Sequence, residues 1–182
     1  MNQDMLNKKY CIESLETSHL VLRKLTINDA EALFKTVGDP EVMQFWAPGP
    51  DQTFFHTLER INAINTHWDK HGFGDWAIIE KQQKQLIGFC GLHYLEGMSE
   101  VNVGYALEKA KWKLGFGTEL LNALLNFGFD ILGLKEIVAV IDPQNTASLK
   151  LIQKCGLSYW KESAYMERPR VVYRRLVKYP IN

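Results

Sequence analysis

Apolar and polar residues change their period several times along this chain, and each change marks an element. Between Ser18 and Leu25, Leu20 and Leu22 alternate with polar neighbours and predict a first strand. Thr26 then opens a helix, with Asp29 three residues on completing a capping-box pattern. Ile27, Ala30, Leu33, Phe34 and Val37 share one helical face, and Gly38 with Pro40 ends it. A second helix is predicted from about Thr53 to Lys70, with Phe54, Leu58, Ile61 and Trp68 on one stripe. Asp51 is its expected cap and His71-Gly72 its stop. Three strands follow in close order, about Trp76 to Glu80, Gln85 to Tyr94 and Glu100 to Leu107, reading as an antiparallel meander. In the last of them Val101, Val103 and Tyr105 point one way, and Glu100, Asn102 and Gly104 the other.

After Gly115-Phe116-Gly117 a long helix reaches about Leu132, its buried side formed by Leu120, Leu121, Leu124, Leu125 and Phe127. Ile137 to Ile141 is wholly apolar and predicts a strand covered on both faces. A short helix from about Thr146 to Lys154 stops at Gly156, and two strands close the chain near Leu157 to Ser163 and Val171 to Lys178. The stretch from Glu100 to Ile141 is thus strand, tight turn, helix, strand. Such a unit is a right-handed crossover, giving a locally parallel pair inside an otherwise antiparallel sheet. The expected class is mixed α/β. No repeat or linker divides the 182 residues, which read as one domain behind a loose polar leader at Met1 to Lys9.

Composition narrows the partners more than the fold. Twenty-one Lys and Arg balance twenty-one Asp and Glu, so no overall field draws the chain to nucleic acid or membrane. No segment approaches the roughly 18 apolar residues of a membrane span. Cys11, Cys90 and Cys155 are scattered; they form neither a metal cluster nor a disulfide framework, which suits a reducing cytoplasm.

Phosphate binding must therefore come from a local site, and one segment offers it. In Trp112-Lys113-Leu114-Gly115-Phe116-Gly117-Thr118, two glycines stand between a strand and a helix start. There the backbone N–H groups and the helix dipole favour an anion such as a pyrophosphate. A plain tight turn fits the same residues. The third glycine of the dinucleotide fingerprint is absent, as is the Gly-Lys-Ser/Thr ending of a P-loop.

The segment is similar to the Gln/Arg-x-x-Gly-x-Gly/Ala loop with which the GNAT superfamily of N-acetyltransferases holds the pyrophosphate of acetyl-CoA. It matches at Gly115 and Gly117, with Trp112 at the Gln/Arg position, as in the RimJ/RimL (ribosomal-protein N-terminal acetyltransferase) branch. Leu15-Glu16-Thr17 through Leu20-Val21-Leu22-Arg23, Asp29 and Asp39-Pro40-Glu41-Val42 resemble the opening of that branch. Val103-Gly104-Tyr105 resembles its central strand, and Asn145, Ser148 and Gly156-Leu157 its Asn-x-x-Ser…Gly-Phe segment. The pattern departs at Lys113 and Leu114, at Asn102 in place of a frequent Glu, and at Ile152. Many GNAT enzymes carry at that last position a Tyr that protonates the leaving thiolate.

The resemblance implies a GNAT fold in which the central parallel pair splays and pantetheine lies along Val103 to Leu107. It implies a cofactor-contacting set of Val103, Tyr105 and Leu107, the turn residues Trp112, Lys113, Leu114, Gly115, Phe116, Gly117 and Thr118, and Asn145 with Ser148. A backbone N–H near Tyr105 is the expected oxyanion donor, and Ser148 the expected proton donor to sulfur, although capping the following turn would equally occupy it. Glu100 is the favoured base and Asn102 a residue able to orient water. Trp46, in the loop before Ala47-Pro48-Gly49-Pro50, and His93 are expected at the acceptor pocket, within an aromatic group that includes Phe45, Phe73, Trp76 and Tyr94. For Phe45 and Trp76 the core is the expected place, and His93, near a strand end, reads as a packed or surface histidine rather than a base. Arg168, Arg170, Arg174 and Arg175 form either a solvated strand face or a site for an acidic acceptor.

Acetyl-CoA is the implied co-substrate, with no metal, an amine on a protein N-terminus or small molecule as acceptor, and a homodimer as a plausible assembly. An α-amine with a pKa near 8 is about one-tenth neutral at pH 7, and a lysine amine below about 0.1%. Without an evident strong base, the weakly basic amine is the easier substrate. A non-catalytic acyl-CoA-binding module and, more remotely, a nucleotide-binding regulator are the competing readings.

Overall fold

The computed structural model describes Ile12 and residues 14–177; the leader at Met1 to Lys9, Cys11 and Lys178 lie outside the described residues. Eight strands form one sheet: β1 (Ser14–Glu16), β2 (Leu20–Lys24), β3 (Asp75–Glu80), β4 (Gln85–Tyr94), β5 (Val101–Leu107), β6 (Glu136–Ile141), β7 (Ser158–Tyr165) and β8 (Arg168–Leu176). Their order is 1-2-3-4-5-6-8-7, antiparallel throughout except between β5 and β6. Helices α1 (Ala30–Val37), α2 (Pro40–Met43), α3 (Phe54–His71), α4 (Phe116–Asn126) and α5 (Thr146–Lys154) flank it. The mixed α/β class and the parallel pair are those the sequence implies. The core is one continuous cluster centred on β3 to β5, with Trp76, Phe89 and Phe127 almost wholly buried in it.

Local chemistry explains the boundaries. The Asp29 carboxylate accepts the Thr26 N–H at 2.7 Å and both Arg23 Nη1 and Nη2 at 2.7 Å, tying the first helical turn to β2. Partial burial alone would raise the carboxyl pKa, yet the bonds from Arg23 and Thr26 hold it below the ordinary value. Its stabilisation is therefore complete above the unfolded carboxyl's pKa, about 4, and is lost as pH falls through the lower folded value. Asp29→Ala is expected to cost about 1–2 kcal/mol at neutral pH. In urea titrations the gap between variant and parent should shrink as the medium is acidified below about pH 4; a gap independent of pH would refute this account.

Three expectations are corrected. Thr53, not Asp51, caps α3, its hydroxyl accepting the His56 N–H at 3.4 Å. Asp51 is buried instead, where it accepts from Thr57 Oγ1 at 2.9 Å and Arg60 Nη2 at 2.6 Å, so a tertiary clamp takes the side chain the cap would have used. Ile27 is 61% exposed, because residues 27–29 form a 3₁₀ turn that rotates it off the α-helical stripe. The long helix does not reach Leu132 as one α-helix: it widens into a π-turn at Phe127–Ile131, where Gly128 lets the backbone meet Ile137.

What positions the site is the unequal treatment of β5. Toward β4 it is zipped along its whole length, from Gly88↔Leu107 to Tyr94↔Val101. Toward β6 a single register pair, Asn102↔Val138, forms before the strands part. β6 turns its other edge fully to β8, from Glu136↔Leu176 to Ile141↔Val171. β5 beyond Asn102 is thus left with an open edge in the middle of the sheet.

Candidate active site

The glycine turn lies at the end of that open edge. Lys113 (φ 63°) and Gly115 (φ 91°) both adopt the left-handed conformation, which costs a lysine strain and a glycine little. The turn is pinned from two sides. Trp112 Nε1 donates to the Leu107 carbonyl at 2.8 Å, and the buried Lys111 ammonium reaches Glu80 at 2.7 Å and Gln83 at 3.0 Å. Among the described residues, the first amide of α4 to find a protein acceptor is that of Thr118, which donates to the Gly115 carbonyl at 3.1 Å. The N–H groups of Phe116 and Gly117 precede it and remain open to an anion, beside the positive end of the helix dipole. These residues fit a diphosphate.

A cavity of about 400 Å³ leads from this turn along β5, walled by Leu107, Trp112, Lys113, Gly115, Gly117 and Thr118. It meets a smaller chamber of about 130 Å³ between the parted strands. Phe45, Trp46, Tyr105, Asn145 and Ser148 line both. A third, wider hollow of about 730 Å³ opens to solvent on the far side, sharing Trp46, His93, Leu95 and Tyr165 with the chamber. A ligand can therefore enter from each end and meet in the middle. On the rim of the first cavity, Lys109 from the segment after β5 forms an ion pair with Glu41 of α2.

Several predicted site residues come together in this passage. Tyr105 and Ser148 face each other, hydroxyl to hydroxyl, at 3.5 Å. Asn145 caps α5, its side-chain oxygen accepting the Ser148 N–H at 3.1 Å, which fixes Ser148 in the first turn. Asn102, 5% exposed, spans the gap where the ladder stops: its Oδ1 accepts the Val140 N–H of β6 at 2.9 Å. Val103 lines the chamber, and Ile152, at the position expected for a Tyr, is part of its wall. Trp46 leans over Gly104, and its carbonyl is held by Arg168 at 3.3 Å.

Others stand apart. The Glu100 carboxylate accepts from the Ser99 hydroxyl at 3.2 Å and lies 4.0 Å from Lys161 Nζ, away from the residues that line the chamber. Leu114 is 59% exposed and lines none of the three spaces, and Phe116 is buried, so Phe116 can meet a ligand only through its backbone. Trp76 is core, as expected, whereas Phe45 lines the passage. The four arginines do not form one patch: Arg170 is buried and bonded to Asp142 at 2.7 Å, Arg174 reaches Glu136 at 3.3 Å, and Arg175 donates to the Cys155 carbonyl at 3.1 Å.

Sequence reasoning missed Asp75. It is buried at the start of β3, and its Oδ1 lies 2.9 Å from Nδ1 of His93 on β4. No local signal marks it: the register that pairs Asp75 with Gly91, two residues from His93, includes a bulge between Ile78 and Ile79 that periodicity does not reveal.

The family model for the acetyltransferase (GNAT) domain matches residues 19–158. The chain is 32% identical over 152 residues to an uncharacterized N-acetyltransferase, p20, of Bacillus licheniformis, covering 83% of this chain and 84% of that one. It is 31% identical over 143 residues to the uncharacterized N-acetyltransferase YoaA of Bacillus subtilis, covering 78% and 81%. In fold it resembles an acetyltransferase from Agrobacterium tumefaciens, with TM-score 0.80 and 23% identity over 91% of this chain and 95% of that one. It also resembles the ribosomal-protein-S5-alanine acetyltransferase of Vibrio fischeri, with TM-score 0.72 and 19% identity over 90% and 96%.

Proposed function

Because the chain belongs to the acetyltransferase (GNAT) family, we propose that it moves the acetyl group of acetyl-CoA directly to a weakly basic primary amine, as the RimJ/RimL branch does. Acyl-CoA-dependent acetyl transfer is the activity of the family; the acceptor and the residue roles are our reading. The observation that carries it is the one-sided opening of β5 beside the free amides of α4.

When bound, acetyl-CoA supplies the activated thioester. The Phe116 and Gly117 N–H groups hold its diphosphate, and the open edge from Val103 to Leu107 takes pantetheine as an added strand would be taken. Ser148 hands a proton to the departing sulfur, with Tyr105 behind it as the reserve. Burial pushes the Tyr105 phenol above its ordinary pKa, so it keeps its proton at neutral pH and remains a donor. That pair replaces the acid lost at Ile152. The acceptor enters by the wide hollow past Trp46. The cytoplasm, which keeps Cys90 and Cys155 as free thiols, is the setting we propose.

An α-amine or similarly weak base is favoured because it is deprotonated often enough to attack with modest help. Thiol release should be faster with an N-terminal peptide than with its blocked, internal-lysine analogue at equal concentration, by about tenfold or more at pH 7. Faster turnover of the lysine peptide would overturn the acceptor class, and absence of heat on titration with acetyl-CoA would overturn the whole reading.

A further inference from the structure

The hydrogen bonds around His93 determine which of its nitrogens carries a proton. The Val140 N–H of β6 donates to Asn102 Oδ1, so the carboxamide oxygen of Asn102 faces β6 and its nitrogen faces the other way. That nitrogen lies 3.1 Å from His93 Nε2. An amide nitrogen can only donate, so Nε2 holds the lone pair. Nδ1 therefore holds the ring hydrogen and donates it to Asp75 Oδ1 at 2.9 Å. One backbone amide on the far side of the gap thus sets the tautomer of a histidine in the middle of the sheet.

The ring sits where the two entrances meet. Its side chain is 14% exposed and lines both the chamber and the outer hollow. Its Cε1 would stand 3.3 Å from a Cβ on Gly104, against the strand that carries the open edge. The geometry points to His93 as the base that takes the proton of the acceptor amine, with Asp75 and Asn102 as the residues that position it. This rests on the acetyl-transfer reading above and deepens it.

The charge balance agrees with the geometry. The titratable and charged groups that share these two spaces with the ring are Asp75 from β3, Asp51 before α3, His56, Glu59, Arg60 and His67 from α3, Tyr94 of β4, Tyr105 of β5, Tyr165 from β7 and, across the chamber, Asp142 after β6 with Arg170 of β8. Burial disfavours a charged imidazole, but the Asp75 carboxylate outweighs it and raises the pKa above the ordinary value. That brings the base closer to the amine it must deprotonate. Asp142 and Arg170 are bonded to each other and largely cancel.

The incoming amine first displaces the Asn102 Nδ2–H from the single lone pair of His93 Nε2 and then gives its proton to that nitrogen. The amine nitrogen bonds to the thioester carbonyl carbon and the carbon–sulfur bond breaks. Sulfur takes the proton of the Ser148 hydroxyl, which recovers one from Tyr105 and, through it, from solvent. His93 returns its proton to solvent through the outer hollow.

His93→Gln is the test, with the intact chain, acetyl-CoA and an N-terminal peptide. Acetyl-CoA affinity should stay within about twofold, while kcat/KM for the peptide falls by about 10²–10³. The limb of the pH profile that belongs to His93 should vanish and, in Asp75→Asn, move to lower pH; a limb from the amine itself stays in place in both. In the wild-type protein above the His93 limb, nitrogen-15 NMR should find His93 protonated at Nδ1 and bare at Nε2, so the assignment stays open to refutation even where His93→Gln fails to fold. Turnover by His93→Gln within about threefold of wild type on an unchanged profile overturns the assignment, as does a hydrogen on Nε2 above that limb. Wild-type turnover with an indifferent His93 removes this inference alone; a wild-type protein that binds no acetyl-CoA removes the acetyl-transfer reading with it.

Discussion

Gly104→Val is expected to lower the rate of acetyl transfer by about a hundredfold or more while the protein stays folded. A Cβ at this position would stand 3.1 Å from Trp46 Cη2, 3.3 Å from His93 Cε1 and 3.7 Å from Asn102 Nδ2. All three are side-chain atoms, so the backbone can remain where it is and the neighbours must move. Valine then brings two further methyl groups into a chamber of only about 130 Å³. Displacing Trp46 and His93 by about 1 Å is enough to cost two orders of magnitude in a reaction that depends on near-attack geometry. The strain of overpacking should cost about 1–3 kcal/mol of stability, which a domain of ordinary stability tolerates. The loss should fall more on kcat than on acetyl-CoA binding, since a side chain at Gly104 points at Trp46, His93 and Asn102, whereas the diphosphate grip at Phe116 and Gly117 is built on another element and pantetheine meets the backbone edge of β5. Thiol-release kinetics beside calorimetry with acetyl-CoA separates the two. A valine variant with near-normal kcat would mean that transfer does not take place between the parted strands.

That prediction depends on a feature the sequence conveyed only through resemblance. Hydrophobic periodicity placed the meander, the crossover and the glycine turn, because each is written in a local run such as Val101 to Leu107 or Ile137 to Ile141. It could not say how many rungs the β5–β6 ladder has, since splaying is decided by what β6 finds on its other edge and by a carboxamide reaching across at Asn102. The same limit explains Asp75. Nothing nearby in the chain marks it, and only the register of β3 on β4 brings it to His93. Asp51 and Ile27 failed for a related reason: local cap and stripe rules were outbid by Arg60 and by a 3₁₀ turn. Glu100 looked like a base because its strand partner Asn102 faces the site. The strand begins only at Val101, however, so alternation does not extend back to Glu100.

The largest stability effect should come from Asp142→Ala. Its Oδ2 accepts from Arg170 Nη1 at 2.7 Å, and its Oδ1 accepts the Gln144 N–H at 2.9 Å. The Arg170 side chain is only 3% exposed, whereas that of Asp142 is 19% exposed. The two partners are therefore not equivalent. Removing Asp142 leaves a buried guanidinium with no countercharge, a loss of about 3–5 kcal/mol. For a domain of this size that is a fall in Tm of about 6–20 °C. Arg170→Met should cost less, because the surviving carboxylate keeps its bond from Gln144 and some water, and methionine fills much of the arginine's volume. The double variant decides the cause. If the uncompensated charge is what destabilises Asp142→Ala, then Asp142→Ala with Arg170→Met should be more stable than Asp142→Ala alone, an inversion of simple additivity. A double variant less stable than both singles would show instead that packing around β6 and β8, not the ion pair, sets the cost.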